Sequence, residues 1–228
     1  MNYNISPTCQ ISNLNEIYLK YFGYNSSGFF IEVGAYDGET VSNTSGLSDI
    51  GWEGIYIEPS HEFYLQCCER HKDNNVIIQN CAIGIDEGIK TLYTSVNSSA
   101  GIRDGLLTTL DSNFVDYVST LQNYGYPSYN QNYCFQTPLS KILQKFKVNK
   151  NFDLLVVDVE GMEDEVFSSF DLNYYKPKMI IAELIDINYN FYSEENMIER
   201  ASEVRTNILN IGYNEIYADE CNTIFISQ

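Results

Sequence analysis

Four short apolar runs, each ending in a carboxylate or in one that a sharp turn follows, constrain the fold of this chain more than any other feature. Apolar runs without polar alternation are typical of strands buried on both faces of a parallel sheet. Segments with apolar residues at helical spacing separate the runs, so strands and helices alternate. The runs are residues 28–34, 54–58, 153–158 and 179–184. This order predicts an α/β fold with a Rossmann-like, doubly wound, mostly parallel sheet.

The remaining elements are predicted from shorter signals. Asn13 and Ser60 stand where N-caps would begin two helices, and Gly23 would end the first of them. Two short strands, 215–217 and 223–226, are expected to form an antiparallel hairpin at the sheet edge. Further strands are expected at 76–79 and 90–94, a helix at 139–146, and two helices whose apolar positions fall within 166–170 and 197–208.

Residues 95–136 interrupt this regular order. They are rich in Gly, Asn and Tyr and contain one predicted helix, with Phe114 and Val118 turned inward. Long irregular segments in compact domains are often lids or binding loops. We therefore expect a single domain over residues 1–228, with an N-terminal helical segment at 1–27 and an insertion or lid over an acceptor site at 95–136.

The charge balance excludes several classes of partner. Asp and Glu outnumber Lys and Arg 31 to 13, and the net charge of -18 repels phosphate backbones and anionic lipids. No apolar run approaches the roughly 20 residues of a membrane span, and the N-terminus shows no secretory signal. We expect a soluble cytoplasmic protein without nucleic-acid partners or membrane insertion, whose six cysteines are free thiols.

The carboxylates at the strand ends are candidate functional residues. The carboxyl ends of parallel strands meet at one edge of the sheet, and ligands bind where the strand order reverses. Glu32, Glu58, Asp158 and Glu183 would therefore line one acidic cleft edged by glycines. The alternative is that each carboxylate only caps the helix that follows it.

The first loop distinguishes between classes of nucleotide-derived cofactor. Its sequence EVGAYDG, residues 32–38, lacks the G-x-G-x-x-G arrangement and carries two carboxylates, which would repel a pyrophosphate. A nucleotide-dependent oxidoreductase is therefore disfavoured. S-adenosylmethionine has no phosphate and carries a sulfonium and an ammonium group, so an acidic loop suits it. Glu58 ends the next strand, where a carboxylate can accept both ribose hydroxyls.

Four sequence motifs together resemble those of a known family. They are FIEVGAYDGE at 30–39, SNT at 42–44, GWEGIYIEP at 51–59 and DLLVVDVEGME at 153–163. In this order they are similar to the motifs of the FkbM-type methyltransferases, a branch of the class I S-adenosylmethionine-dependent fold. The resemblance extends over residues 28–185.

The resemblance implies which residues bind the cofactor. It places the methionine moiety against the first loop, the ribose against Glu58, and the adenine near Cys81 and Ala82. The implied cofactor-binding set is Glu32, Gly34, Ala35, Tyr36, Asp37, Gly38, Glu58, Pro59, Cys81, Ala82 and Asp158. Many class I methyltransferases place an acidic residue after the third strand to contact the adenine amine. This chain has Asn80 there, so that contact stays open.

Catalytic candidates lie where the third apolar run turns into its helix. Methyl transfer needs the acceptor oxygen in line with the methyl and sulfur atoms, about 3 Å from the methyl carbon. A carboxylate within hydrogen-bond reach can remove the hydroxyl proton. The candidates are Asp158, Glu160 and Glu163, and the last two would share a helical face. Two alternative roles for these carboxylates stay open. They could hold Mg²⁺, or they could only stabilise the N-terminus of the following helix through its dipole.

The acceptor side of the site is predicted from polar and aromatic residues. Ser42, Asn43 and Thr44 could hydrogen-bond the acceptor, or they could cap a helix. Tyrosines between 124 and 133 could form an aromatic wall against sugar rings. We expect an S-adenosylmethionine-dependent O-methyltransferase acting on a hydroxyl of a sugar or glycan, without committing to a metal. The alternatives are a small secondary metabolite as acceptor, and a binding or scaffold protein of the same fold without turnover.

Overall fold

The computed structural model describes residues 2–24, 27–187 and 195–228. In chain order its elements are α1 (Leu14–Phe22), β1 (Phe29–Val33), α2 (Ser45–Asp49), β2 (Glu53–Ile57), α3 (His61–Arg70), β3 (Val76–Gln79), β4 (Ala82–Ile83), β5 (Gly88–Val96), α4 (Ser112–Thr120), β6 (Ser128–Thr137), α5 (Leu139–Lys145), β7 (Leu154–Val157), α6 (Glu163–Ser168), β8 (Met179–Glu183), α7 (Glu195–Asn210), β9 (Tyr213–Ala218) and β10 (Asn222–Ser227). Short 3₁₀ helices cover Gln122–Tyr124 and Ile185–Ile187. Among the described residues, no helix combines the length and the apolar character that crossing a bilayer requires.

Seven strands form the central sheet in the order β3-β2-β1-β7-β8-β10-β9. β1 pairs in parallel with both β2 and β7, and β7 pairs in parallel with β8. β10 runs antiparallel between β8 and β9, so the predicted hairpin closes one side of the sheet with β9 at its edge. The strand order reverses between β1 and β7, which creates a crevice at their carboxyl ends. The predicted doubly wound, mostly parallel sheet is confirmed.

Helices cover both faces of this sheet, because the side chains of each strand alternate between two hydrophobic clusters. In β7, Leu155 and Val157 belong to the cluster that α4, α5, α6 and α7 complete. Leu154 and Val156 belong to the cluster on the other face, which α1, α2 and α3 complete. All four residues of β7 are buried, which explains why this sequence is apolar without alternation.

A second sheet of three strands extends into the segment 95–136, which the sequence predicts to be irregular and which contains most of β6 and the last two residues of β5. β6 pairs antiparallel with β5 along nine positions and parallel with β4 at its end. The sequence pattern missed β6 because Asn130, Gln131 and Asn132 are all exposed. Backbone pairing rather than an apolar face therefore defines this strand. The predicted helix of the segment is present as α4.

The two predicted N-cap residues precede helices but do not cap them through their side chains. α1 and α3 start directly after Asn13 and Ser60, and neither side chain makes a capping hydrogen bond. Asp111 does cap α4, because its carboxylate accepts from the Asn113 amide at 2.8 Å. Tertiary packing of the apolar faces is therefore enough to fix α1 and α3, in line with the small contribution of a single cap.

Leu155→Ala is expected to lower the free energy of unfolding by roughly 2–5 kcal/mol, because it leaves a cavity in the middle of the central sheet. Leu155 is completely buried, whereas Leu65 on α3 is 53% exposed. Leu65→Ala is therefore the matched control, with an expected change of at most about 0.5 kcal/mol. Urea denaturation followed by circular dichroism measures both values. Equal losses in the two variants would contradict the described core.

Candidate functional site

A cavity of about 350 Å³ opens at the carboxyl edge of the central sheet. Glu32, Glu58, Asp158 and Glu183 lie at the ends of β1, β2, β7 and β8, and all four line the cavity. The described lining residues include no lysine, arginine or histidine. The four carboxylates thus meet in one acidic cleft, as the parallel strand order predicts.

Gly34 allows the ends of β1 and β7 to meet at this cavity. Its φ of +91° lies in the left-handed region, and a Cβ atom here would be 1.6 Å from the carbonyl oxygen of Asp158. Only glycine fits such an approach. Ala35 and Tyr36 follow in the lining, and the Tyr36 amide donates to the Glu58 carboxylate at 2.9 Å. The first loop therefore links β1 to the acidic end of β2.

The carboxylate of Glu32 is held by the SNT sequence. It accepts from the Ser42 hydroxyl at 3.1 Å, from the Asn43 amide at 3.4 Å, and from the Thr44 hydroxyl. Burial raises the pKa of Glu32 to about 7 in spite of these donors. Ser42 lines the cavity, whereas Asn43 and Thr44 lie outside the lining. The Ser42 hydroxyl also accepts from the Ser45 amide at 3.0 Å, so it stabilises the start of α2 as well.

Glu58 is buried, and both of its carboxylate oxygens accept backbone hydrogen bonds. One oxygen accepts from the Tyr36 amide and the other from the Ser60 amide at 2.8 Å. Each oxygen has further lone-pair capacity, so hydroxyl groups of a ligand can still donate to it. Burial raises the pKa of Glu58 to about 8. Pro59 lines the cavity next to it.

Asp37 and Gly38 belong to the first loop but lie outside the lining. The Asp37 carboxylate accepts from the amides of Glu39 and Thr40 at 2.9 and 2.7 Å. The Gly38 carbonyl accepts from Nε2 of His71 at 2.8 Å, which holds the loop to the end of α3. The two residues shape the loop, and their direct contact with a cofactor stays a prediction.

The part of the cavity lining at β4 consists of a few apolar residues. Cys81, Ala82 and Ile83 form it. Burial raises the pKa of the Cys81 thiol to about 11, so this group is neutral at physiological pH. A flat heterocycle could lie here without meeting a charge, and the adenine position that the resemblance implies stays a prediction.

Asp158, Glu160 and Glu183 form a carboxylate cluster in the lining. An oxygen atom from each lies within 4.8 Å of the other two. Burial raises the pKa of all three groups, and like charges raise the pKa of Glu160 and Glu183 further. Such a cluster can hold a proton, or a divalent cation through its oxygens. The structure thus brings together the candidates Asp158 and Glu160 and adds Glu183 to them.

Glu163 occupies a different position from the other candidates. It is the first residue of α6, and its carboxylate accepts from the amides of Val159 and Gly161 at 3.1 and 3.3 Å. Glu160 precedes the helix with a left-handed φ of +57°, so the predicted shared helical face does not form. Glu163 lies outside the lining of the main cavity. It fixes the turn that presents Glu160 to the cavity.

One wall of the cavity is formed by a segment that contains no recognisable sequence motif. The segment 100–126 crosses the site and contributes eleven lining residues, most of them apolar. The Tyr36 hydroxyl donates to the Asp104 carbonyl at 2.6 Å, and the Thr109 hydroxyl donates to the Glu160 carbonyl at 2.8 Å. These contacts join residues far apart in sequence, so no local pattern could have revealed them. The sequence signals in this segment were its Gly-, Asn- and Tyr-rich composition and the helix predicted around Phe114 and Val118, and neither identified the lining residues.

The free energy of unfolding is expected to fall as the pH rises from about 5 to about 8. The folded pKa values of Glu32 and Glu58, about 7 and 8, lie above the ordinary value of 4.5. The folded protein therefore keeps protons that the unfolded chain has already lost. The stabilisation is complete below the unfolded pKa, and it disappears as the pH passes the folded pKa.

Glu32→Gln tests this assignment, because it removes one of the retained protons. It should reduce the slope of stability against pH by up to about 1.4 kcal/mol per pH unit between about pH 5 and 7. Urea titrations at several pH values give the slopes. Glu62→Gln, at an exposed position on α3, is the control and should leave the slope unchanged. An identical slope in Glu32→Gln and the control would disprove the raised pKa.

Solved structures that resemble this chain include methyltransferases of low sequence identity. A putative O-methyltransferase from Klebsiella pneumoniae has a TM-score of 0.53 and 9% identity, with 99% of this chain and 85% of that chain covered. An O-methyltransferase from Bacillus cereus in complex with SAH has a TM-score of 0.49 and 11% identity, with 99% of this chain and 83% of that chain covered. The similarity to the Klebsiella protein shows the fold alone. No curated protein matches the chain.

A family model describes the greater part of the sequence. The model of the methyltransferase FkbM domain matches residues 32–215. This range begins at the first carboxylate of the cavity and includes the first loop, the SNT sequence and the carboxylate cluster. The chain belongs to the FkbM methyltransferase family.

Proposed function

We propose that this protein is an S-adenosylmethionine-dependent methyltransferase that modifies a hydroxyl oxygen. The observation that carries the proposal is the lining of the cavity, which joins several carboxylates and, among the described residues, contains no basic side chain. Such a cavity favours a positively charged donor over phosphate-bearing nucleotides. The family and the fold support S-adenosylmethionine and methyl transfer.

The residues of the cavity fit the chemical groups of this cofactor. Bound S-adenosylmethionine would supply a methyl group carried on a positively charged sulfur. Glu58 would accept hydrogen bonds from the ribose hydroxyls, and Glu32 and Asp158 would stabilise the positive charges of the methionine moiety. Cys81 and Ala82 would offer a neutral surface to the adenine. Gly34 keeps the ends of β1 and β7 close enough for these groups to act on one ligand.

Glu160 is the proposed general base. Its pKa is raised by burial and by the charges of Asp158 and Glu163, which brings its basicity closer to the working pH. A carboxylate oxygen of Glu160 would take the proton of the acceptor hydroxyl. Glu163 would be a positioning residue, since it holds the Gly161 amide beside Glu160. The oxygens of Asp158, Glu160 and Glu183 could alternatively bind Mg²⁺, in which case EDTA would abolish activity.

The sequence-based expectation for the acceptor is a sugar or glycan hydroxyl, with a small secondary metabolite as the alternative. Carboxylates of the cluster could accept hydrogen bonds from sugar hydroxyls, which supports the first. The apolar wall at 100–126 supports the second. Ser42 reaches the cavity and stays a candidate substrate ligand, whereas Asn43 and Thr44 would act only through Glu32.

The alternative from a different functional class is a binding or scaffold protein of the same fold that does not catalyse a reaction. It would not need a complete set of carboxylates around the donor and the acceptor. Glu32, Glu58, Asp158 and Glu160 all line the cavity, and Asp37 shapes its first loop. This complete set favours an enzyme.

Glu58→Gln is expected to weaken S-adenosylhomocysteine binding by on the order of 10- to 100-fold, because an NH2 donor replaces one of the two carboxylate oxygens that accept hydrogen bonds. Isothermal titration calorimetry measures the dissociation constant. Glu62→Gln on α3 is the matched control and should bind as the unaltered protein does. If the unaltered protein binds neither S-adenosylhomocysteine nor S-adenosylmethionine, the proposed function is wrong.

Glu160→Gln is expected to lower kcat by about 100- to 10,000-fold while S-adenosylhomocysteine affinity is retained, because the variant lacks the base but keeps the cavity. Formation of S-adenosylhomocysteine is followed with a panel of monosaccharides, glycosides and phenols as acceptors. Glu199→Gln, at an exposed position on α7, is the control. A parallel loss of affinity and turnover would assign Glu160 to cofactor binding instead.

A further inference from the structure

Four apolar side chains in the cavity wall lie outside the hydrophobic core. Ile102, Leu106, Leu121 and Met162 are half-buried and line the cavity. None of them belongs to the three hydrophobic clusters formed by the described residues. Their apolar surface therefore faces the cavity rather than the interior. Such a surface stabilises a bound ligand only if the ligand also removes apolar area from water.

The same wall offers few partners for polar ligand groups. Among the eleven lining residues of segment 100–126, only Thr108, Tyr117 and Tyr126 carry a polar side-chain atom. The Thr108 hydroxyl already donates to the Gly105 carbonyl at 2.6 Å. A free sugar brings a hydroxyl on nearly every carbon, and each hydroxyl buried without a partner weakens binding. The wall therefore disfavours a small polyhydroxylated acceptor.

The charges around the cavity select against anionic acceptors. Asp158, Glu160 and Glu183 lie together in the lining, where no basic residue is described. Arg103 belongs to the crossing segment, but its guanidinium donates to the Thr40 hydroxyl at 2.7 Å and is not part of the lining. A phosphate, a carboxylate or a coenzyme A thioester near the cluster would meet only like charge.

We propose that the acceptor is a neutral alcohol or phenol whose hydroxyl is carried by an apolar body. The hydroxyl would approach the carboxylate cluster, and the apolar body would cover the surface of Leu106 and Met162. This inference rests on the proposed function, because it concerns the acceptor of the same site. It favours the sequence-based alternative, a small secondary metabolite, over a free sugar, and it specifies an acceptor with an apolar surface next to the hydroxyl.

Binding to the protein saturated with S-adenosylhomocysteine tests the inference, since the cofactor then fills its own part of the cavity. The probes are 2-naphthol, 2-naphthoate and glucose, which differ in charge and in apolar surface. Isothermal titration calorimetry should give a dissociation constant for 2-naphthol at least about 10-fold lower than for the other two probes.

Two nearly isosteric variants locate the acceptor. Leu106→Asn and Met162→Gln should each weaken 2-naphthol binding by on the order of 10-fold, because each replaces apolar contact with an amide that lacks a partner. Affinity for S-adenosylhomocysteine should stay unchanged in both. Leu65→Asn on α3, outside the lining, is the matched control for the leucine variant.

The outcomes separate this inference from the proposed function. If S-adenosylhomocysteine does not bind, the proposed function fails and the inference fails with it. If S-adenosylhomocysteine binds but glucose or 2-naphthoate binds as well as 2-naphthol, or 2-naphthol does not bind, only the inference is overturned. It is also overturned if both variants leave 2-naphthol affinity unchanged, or if they weaken S-adenosylhomocysteine instead.

Discussion

The close approach of β1 and β7 is the constraint on which the site depends. Gly34 lies against the carbonyl of Asp158 at a distance that excludes any Cβ atom. The Asp158 amide in turn donates to the Val33 carbonyl at 3.0 Å, so the two strands stay paired up to the edge of the cavity. Because of this contact, carboxylates that are more than a hundred residues apart in sequence line one cavity. A side chain at position 34 would separate them.

Gathering carboxylates at one edge has an energetic cost, and the protein offsets it in two ways. Glu32 and Glu58 are buried but receive hydrogen bonds from hydroxyls and backbone amides. Burial raises the pKa values of all five carboxylates, and in the crowded cluster of Asp158, Glu160 and Glu183 like charges raise those of Glu160 and Glu183 further. The first arrangement suits residues that bind and orient a ligand. The second suits a residue that exchanges a proton, or a set of oxygens that shares a cation.

Besides its acidic side, the cavity has an apolar wall, which the segment 100–126 supplies. The central sheet supplies the acidic side, which family motifs describe, and this segment supplies an apolar wall that no motif describes. It is tied to both sides of the site, through Asp104 to Tyr36 and through Thr109 to Glu160. The acidic side and the apolar wall of the cavity are therefore built by different parts of the chain and held together by these two hydrogen bonds.

The sequence alone determined the sheet, its strand ends and the first loop, because buried parallel strands need uninterrupted apolar residues and a tight turn needs Gly34. It could not predict β6, whose exposed polar residues carry no strand pattern, or the left-handed turn that separates Glu160 from the helix of Glu163. Only the tertiary structure assigned the SNT sequence to Glu32 and identified which residues of 100–126 line the cavity. Local patterns record which face of an element is buried. Contacts between distant segments depend on how the whole chain packs, and the residue type at a single position does not indicate them.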